Sequence, residues 1–285
     1  AYGTRPYVDG KPVNPGWLGN PAEMMKNGGY WRNNNQQVDA LLSAEYKVPF
    51  VKGLSAKIAY SKNFNNSFIK DFAKKQVLYD YAMSANGVID VTQPLGTTLS
   101  GDPGTEYIGN EYAKTNSYQV NAQVNFDRTF GKHHINALAV YEQYENNSVD
   151  FSAYRYNFPL FPTDQFFAAS GDSKNWANKG EETQDGRLSY IGRLNYEYAD
   201  KYLFSASVRR DGSVKFAPAQ RWGWFPSVAA GWKISEEDFF RNTEALHFVD
   251  LLKIRLSLAT TGNDAIGGWQ WQDQYNIQNS SYYLG

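Results

Sequence analysis

His133 and His134 are adjacent, and Asp127 lies a short way upstream of them. Two imidazoles beside a carboxylate could serve as a metal site or a proton relay. Adjacent strand residues point to opposite faces, so this pair is poorly placed to close on one ion, and "FGKHH", 130–134, reads as a polar turn. "RRDGS", 209–213, could cradle an anion, but its Asp-Gly pair reads more simply as a turn at a strand end. Arg187, Arg193, Arg209, Lys253 and Arg255, with Asp211, alternate with apolar residues along their segments. On the wet side of a sheet they could line a path for a polar solute, or pair with carboxylates such as Glu197. Tyr154, Tyr156, Phe158, Phe161, Phe166 and Phe167 crowd one long connection, where they could stack on sugars, seat a partner protein or pack on each other. "NNS" at 65–67 and 146–148 and "NSS" at 279–281 match the glycosylation acceptor pattern, which in Asn-rich loops reads as coincidence. No phosphate-binding loop, nucleophile elbow or paired-carboxylate motif stands out, and no enzyme or cofactor is expected.

The elements that must position these groups are set by composition and period. The 285 residues carry a net charge of −1, so no global field points to nucleic acid. There is no cysteine, which excludes disulfides and thiolate metal sites. Aromatic residues make up 16%, with 21 Tyr and 8 Trp, an excess that needs a location. Mean hydropathy is −0.59, and no apolar run approaches the ~20 residues of a membrane helix. The opening "AYGTRPYVDG" has no signal-peptide pattern, so the protein is either not exported or this chain is not the whole gene product.

The dominant period is two. Tyr118, Val120, Ala122, Val124 and Phe126 alternate with Gln119, Asn121, Gln123, Asn125 and Asp127. The segments 187–198, 202–211 and 252–261 alternate in the same way, as do Val38–Tyr46 and Leu54–Tyr60; 224–234 follows, and 134–144 is less regular. That predicts about eight strands of roughly 9–12 residues, the length that spans a bilayer, where soluble strands average ~5–6.

Connection lengths alternate as well. "VPFVKG", 48–53, "FGKHH" and "YADKY", 198–202, are short, whereas 64–114, 147–186 and 212–223 are longer. Short turns on one side and long loops on the other are the outer-membrane barrel pattern. Rings collect at strand ends: Tyr46, Phe130, Tyr198, Tyr202 and Trp232 toward the short turns, Tyr60, Tyr118, Tyr144, Trp222 and Trp224 toward the loops. Aromatic girdles mark both membrane interfaces. Pro226 should then lie near the loop end of its strand. Ser235 is expected to N-cap a short helical turn within 235–250.

"LSYIGRLNYEYADKYLFSASVRRDGSVKFAPAQRWGWFPSVAAGWKISEEDFF", 188–240, followed by "LLKIRLSLATTGND", 251–264, resembles the SusC/RagA family of TonB-dependent outer-membrane transporters. "RTFGKHHINALAVYEQYE", 128–145, and "YKVPFVKGLSAKIAYS", 46–61, are similar to family segments, and the likeness runs over about 20–275. The resemblance implies an all-β fold: an antiparallel transmembrane β-barrel of roughly 22 strands with a plugged lumen. About eight of those strands would lie in residues 1–285, with the plug and terminal strands absent. It also implies import of a bulky nutrient, glycan or peptide, at the outer membrane of a Gram-negative, Bacteroidota-like cell. The implied partners are a SusD-like surface lipoprotein, the TonB–ExbB–ExbD system and outer-membrane lipids. On this reading Arg187, Arg193, Arg209, Asp211, Lys253 and Arg255 face the lumen. Two rivals are a complete eight-stranded barrel with a structural or adhesive role and a soluble carbohydrate-binding β protein.

Overall fold

The structure, a computed structural model, describes residues 5–15, 19–83, 89–100 and 106–273. Eight strands pair into one antiparallel sheet. They are β3 (Gly29–Lys47), β4 (Leu54–Ala73), β7 (Tyr107–Phe130), β8 (His133–Tyr156), β9 (Trp176–Tyr198), β10 (Tyr202–Ser213), β11 (Trp222–Lys233) and β12 (Lys253–Ala259). Their order across the sheet is β12-β11-β10-β9-β8-β7-β4-β3, so every neighbour but one follows in sequence. The exception is the step from β4 to β7, which skips the separate hairpin of β5 (Val77–Met83) and β6 (Ile89–Leu99). A small hairpin, β1 (Tyr7–Val8) with β2 (Lys11–Pro12), and helix α1 (Pro21–Asn27) precede the sheet.

The chain divides into two compact units. The first takes Ala1–Gln37, Asn65–Lys114 and Val149–Glu182; the second takes Val38–Phe64, Thr115–Ser148 and Thr183–Gly285. The first has its own core, in which Phe72, Ile108 and Ala169 are buried and Tyr30, Phe158 and Phe166 pack against them. Its helix is capped by Asn20, whose side-chain oxygen accepts from Glu23 N at 3.1 Å while its amide donates to Pro6 O and Val13 O. The second unit holds the segments that alternate in sequence, and it is layered as one sheet.

Five strands run well past the expected 9–12 residues: β3, β4, β7, β8 and β9 have 19, 20, 24, 24 and 23. The stretches 64–114 and 147–186, expected as loops, hold the continuations of these strands, the β5–β6 hairpin and two single 3-10 turns; part of 84–110 lies outside the described residues. The acceptor motifs at 65–67 and 146–148 sit inside β4 and β8, and 279–281 lies outside the described residues.

The short connections follow the expectation. Ala199 and Asp200 take consecutive positive φ values of 53° and 59°, the type I′ pattern, in the three-residue connection between the paired Tyr198 and Tyr202. Gly53 has φ +89°, and a Cβ there would lie 2.2 Å from Asp127 O, so only glycine fits the β3–β4 turn.

Three local expectations are corrected. Asp211 and Gly212 do not form a turn: both stay in β10, which continues to Ser213. Gly212 is needed for a different reason, because it pairs with Trp222, and a Cβ on it would meet that indole at 3.0 Å. Ser235 is no N-cap; it is buried, and the four-residue helix α2 (Asp238–Arg241) starts after Glu237 without a side-chain cap. Pro226 lies inside β11 rather than at its loop end, and its missing donor leaves the pair with Thr260 one bond short. Thr260 N donates to Pro226 O, so Pro226 turns its nitrogen toward β12, whose ladder ends one residue away at Ser227↔Ala259.

Candidate functional site

The second unit presents two chemically opposite faces. One can be traced strand to strand by its rings and registers. Tyr60 stacks on Tyr118, Gln143 donates to Tyr118 Oη, and Tyr141 meets Tyr190 edge-on at 5.7 Å. From there the pairings Leu194↔Ala206↔Val228↔Leu258 carry the same face to β12. This face is apolar, and exposure along β11 alternates residue by residue, with Trp224, Val228 and Trp232 out.

The other face is polar and cross-linked. Gln119 reaches Asn121 and Glu142, and Glu142 lies 4.0 Å from the Arg209 guanidinium. Arg209 also holds Asp211 at 3.0 Å and Ser189 at 3.4 Å. Asn136 links Asn125, Asp127 and Asn195, and Ser205 donates to Asn195. Lys233 pairs with Glu197 at 2.9 Å. Arg187 grips Asp264 with two bonds of 2.8 and 3.2 Å. Pairs this wet are each worth ~0–1 kcal/mol, so the network's main effect is to fix side-chain directions rather than to stabilise the sheet.

All six candidates from the sequence lie on this polar face. Arg187, Arg209 and Asp211 share a recess of about 680 Å³ with Glu142, Phe225 and Asp264. Lys253 and Arg255 line a second recess of about 380 Å³ with Asp127, His134 and Glu197. Arg193 stands opposite Ser207 in the β9–β10 register. Arg209, Asp211 and Arg187 are engaged by carboxylates or guanidinium groups, whereas Arg193, Lys253 and Arg255 have no ion-pair partner among the described residues. These three present free donors to whatever fills the polar side. Sequence reading missed Glu142, Asp264 and Phe225. Only Glu142 carried a signal, the period-two continuation from Asn136.

The two histidines diverge. His134 Nε2 lies 3.0 Å from Asp127 on the polar face, while His133 Nδ1 lies 2.7 Å from the Tyr196 hydroxyl. Of the crowded aromatics, Tyr154 and Tyr156 pack with Tyr107, and Phe158 and Phe166 belong to the first unit's core. Phe161 and Phe167 are 65% and 82% exposed. In the same unit the Asp164 carboxyl is held down to about 2 by the Tyr30 hydroxyl and then by Lys70.

At the short-turn end, Glu237 accepts from the Tyr202 hydroxyl at 2.7 Å, the Trp232 indole at 3.0 Å and Lys201 at 3.0 Å. These three donors, the hydroxyl foremost, pull its carboxyl from an ordinary 4.5 to about 2. The folded value lies below the unfolded one. The clamp's contribution is therefore complete above about pH 4.5 and fades as pH falls toward 2. Amide protection at Phe240, Arg241 and Asn242, whose N–H groups bond back into this turn, should fall across that window in the wild type. In Glu237→Gln it should already be low at neutral pH and nearly flat; equal profiles would show that the clamp does not hold the turn.

No protein-family profile matches the chain. It is 29% identical over 248 residues to a TonB-dependent receptor of Formosa agariphila, an alignment covering 86% of this chain and 21% of that receptor. It is 40% identical over 104 residues to the TonB-dependent receptor SusC of Bacteroides thetaiotaomicron, covering 36% of this chain and 10% of SusC. Its fold is like that in the structure of the RagAB peptide transporter, with a TM-score of 0.72 at 19% identity over 97% of this chain and 27% of that one. The chain thus spans about a fifth of the length of the first of these relatives. In sequence the chain is thus similar to part of TonB-dependent receptors, and in fold to part of the RagAB transporter structure.

Proposed function

We propose that the full-length protein imports a bulky nutrient, a glycan or a peptide, through the outer membrane of a Gram-negative, Bacteroidota-like cell. Residues 1–285 supply part of the barrel domain: a section of wall, the connections near 64–114 and 147–186 outside the cell, and the turns at 48–53, 130–134 and 199–201 in the periplasm. The observation that carries this reading is the two-faced sheet, apolar with ring-rich ends on one side and hydrated and charged on the other. Lipid demands the first face, and a wet or plugged lumen accommodates the second.

The edges support a larger barrel. A closed eight-stranded barrel would pair β3 with β12, yet these two are the sheet's edges, and neither pairs with the other among the described residues. In hydrocarbon, an open edge leaves backbone groups unsatisfied, so both edges need further strands. Arg187, Arg193, Arg209, Asp211, Lys253 and Arg255 then face the lumen, where the three unpaired cations meet plug carboxylates or passing substrate. Phe161 and Phe167 are suited to seat a SusD-like surface lipoprotein. Energy comes from the TonB–ExbB–ExbD system acting on parts of the protein outside these residues.

The test is deletion of the whole gene, followed by growth on a panel of glycans and peptides with TonB intact or inactivated. Growth on one bulky substrate should fail in both strains, and a surface lipoprotein should co-purify with the wild-type protein. Unchanged growth on every substrate with no co-purifying lipoprotein would instead support a structural or adhesive barrel.

A further inference from the structure

Arg210 is a cation on the apolar face. It stands directly opposite Tyr190 of β9 and Trp224 of β11, two residues on from Val208. Its guanidinium carbon lies 4.6 Å from the Trp222 ring centre and 5.3 Å from that of Trp224. Tyr190 stacks on Trp222 at 5.9 Å and closes the third side. No carboxylate pairs with Arg210 among the described residues, and its Nε is buried without a hydrogen-bond acceptor. A guanidinium stacked on rings keeps its in-plane N–H groups free, and their fork geometry matches an oxyanion.

The cage does not stand alone. It opens into a trough of about 940 Å³ along the same apolar face, lined by Val208, Tyr141 and the small residues Ala122, Ala139 and Gly192. A free phosphate would use only the cage. A lipid with a phosphate in its headgroup would use both, its phosphate on Arg210 and an acyl chain over the small residues.

We propose that Arg210, held by Trp222, Trp224 and Tyr190, binds the phosphate of an outer-leaflet lipid whose acyl chain lies in this trough. The proposal rests on the outer-membrane reading above, which gives the face its lipid and places the loop end of β10 at the outer leaflet. The phosphate neutralises a charge that hydrocarbon cannot solvate, and it meets the terminal N–H groups of the guanidinium, whose Nε is enclosed.

The full-length protein purified in mild detergent tests this by native mass spectrometry and phosphorus analysis. The wild type should retain one phosphate-bearing lipid per chain through detergent exchange. Arg210→Gln should retain at least tenfold less, and Trp224→Leu, which keeps the cation and removes a ring, severalfold less. Lys132→Gln, at the opposite end of the sheet, should match the wild type. Absence of any phosphate-bearing lipid on the wild type overturns the proposal, even if the variants fail to assemble. So does equal retention by Arg210→Gln. Full displacement of the lipid by millimolar inorganic phosphate would show an ion site and overturn it as well. A protein that is soluble without detergent sinks the outer-membrane reading itself, whereas a detergent-dependent protein without such a lipid sinks the headgroup site alone.

Discussion

Ala122→Arg should block assembly, while Asn121→Arg, one residue away, should assemble as the wild type does. Ala122 lies on the apolar face, on the floor of its trough. Asn121 accepts from Gln119 on the polar face, within the network that reaches Glu142 and Arg209. An arginine turned to lipid near mid-bilayer costs ~2–4 kcal/mol, a large share of the ~5–15 kcal/mol that holds a typical domain together. At Asn121 the same side chain enters water beside existing carboxylates. It also removes one neutral hydrogen bond, worth ~1 kcal/mol. The readout is the amount of heat-modifiable, folded protein in the outer-membrane fraction. Equal tolerance at the two positions would mean that the register, or the membrane itself, has been misassigned.

That contrast depends on a pattern legible in the sequence, and its limits are physical. Val120, Ala122 and Val124 alternate with polar residues because a lipid face and a wet face are imposed on opposite sides of one strand. In the parts of β4, β7, β8 and β9 that belong to the first unit, no such demand applies, and the period disappears. "NNSFIKDFA", 65–73, is continuous strand with no clean alternation, so it reads as loop. The charged candidates were legible for the same reason as the strands: parity alone put Arg187, Arg193, Arg209, Asp211, Lys253 and Arg255 on one face. Their partners were not, because Asp264 lies 77 residues from Arg187 and is brought to it only by the fold. Parity also pointed to Arg210, the next even position after Val208, but a lone cation at the end of an apolar stripe looks like a strand terminus until its three rings are seen. Asp211-Gly212 misled because Asp-Gly is a turn signal whose glycine here serves ring contact with Trp222 instead.

Phe72→Ala should unfold the first unit locally and leave the sheet of the second assembled. Phe72 is 6% exposed, packs on Tyr30 at 5.8 Å and meets Phe158 edge-on at 5.8 Å. Few other buried apolar side chains share that core, which holds Ile108 and Ala169. Removing a buried phenyl ring typically costs ~3–5 kcal/mol in lost transfer energy and cavity, and a core this small has no spare packing to absorb the loss. The bonds that tie residues 157–170 down, from Tyr30 and Lys70 to Asp164 and from Ser170 N to Asn157 O, would then be held only by solvated groups, so this segment opens first. Limited proteolysis should cut the variant between 159 and 168 at least tenfold faster than the wild type. Folded protein should still accumulate in the membrane, because the alternating segments that lipid selects lie in the second unit. Phe167→Ala, at a site 82% exposed, provides the comparison: surface truncations usually stay within ~0.5 kcal/mol, so its cleavage rate should not change. If Phe72→Ala instead removed folded protein from the membrane altogether, the first unit's core would be a condition for assembly of the wall rather than a separately stabilised part of the protein.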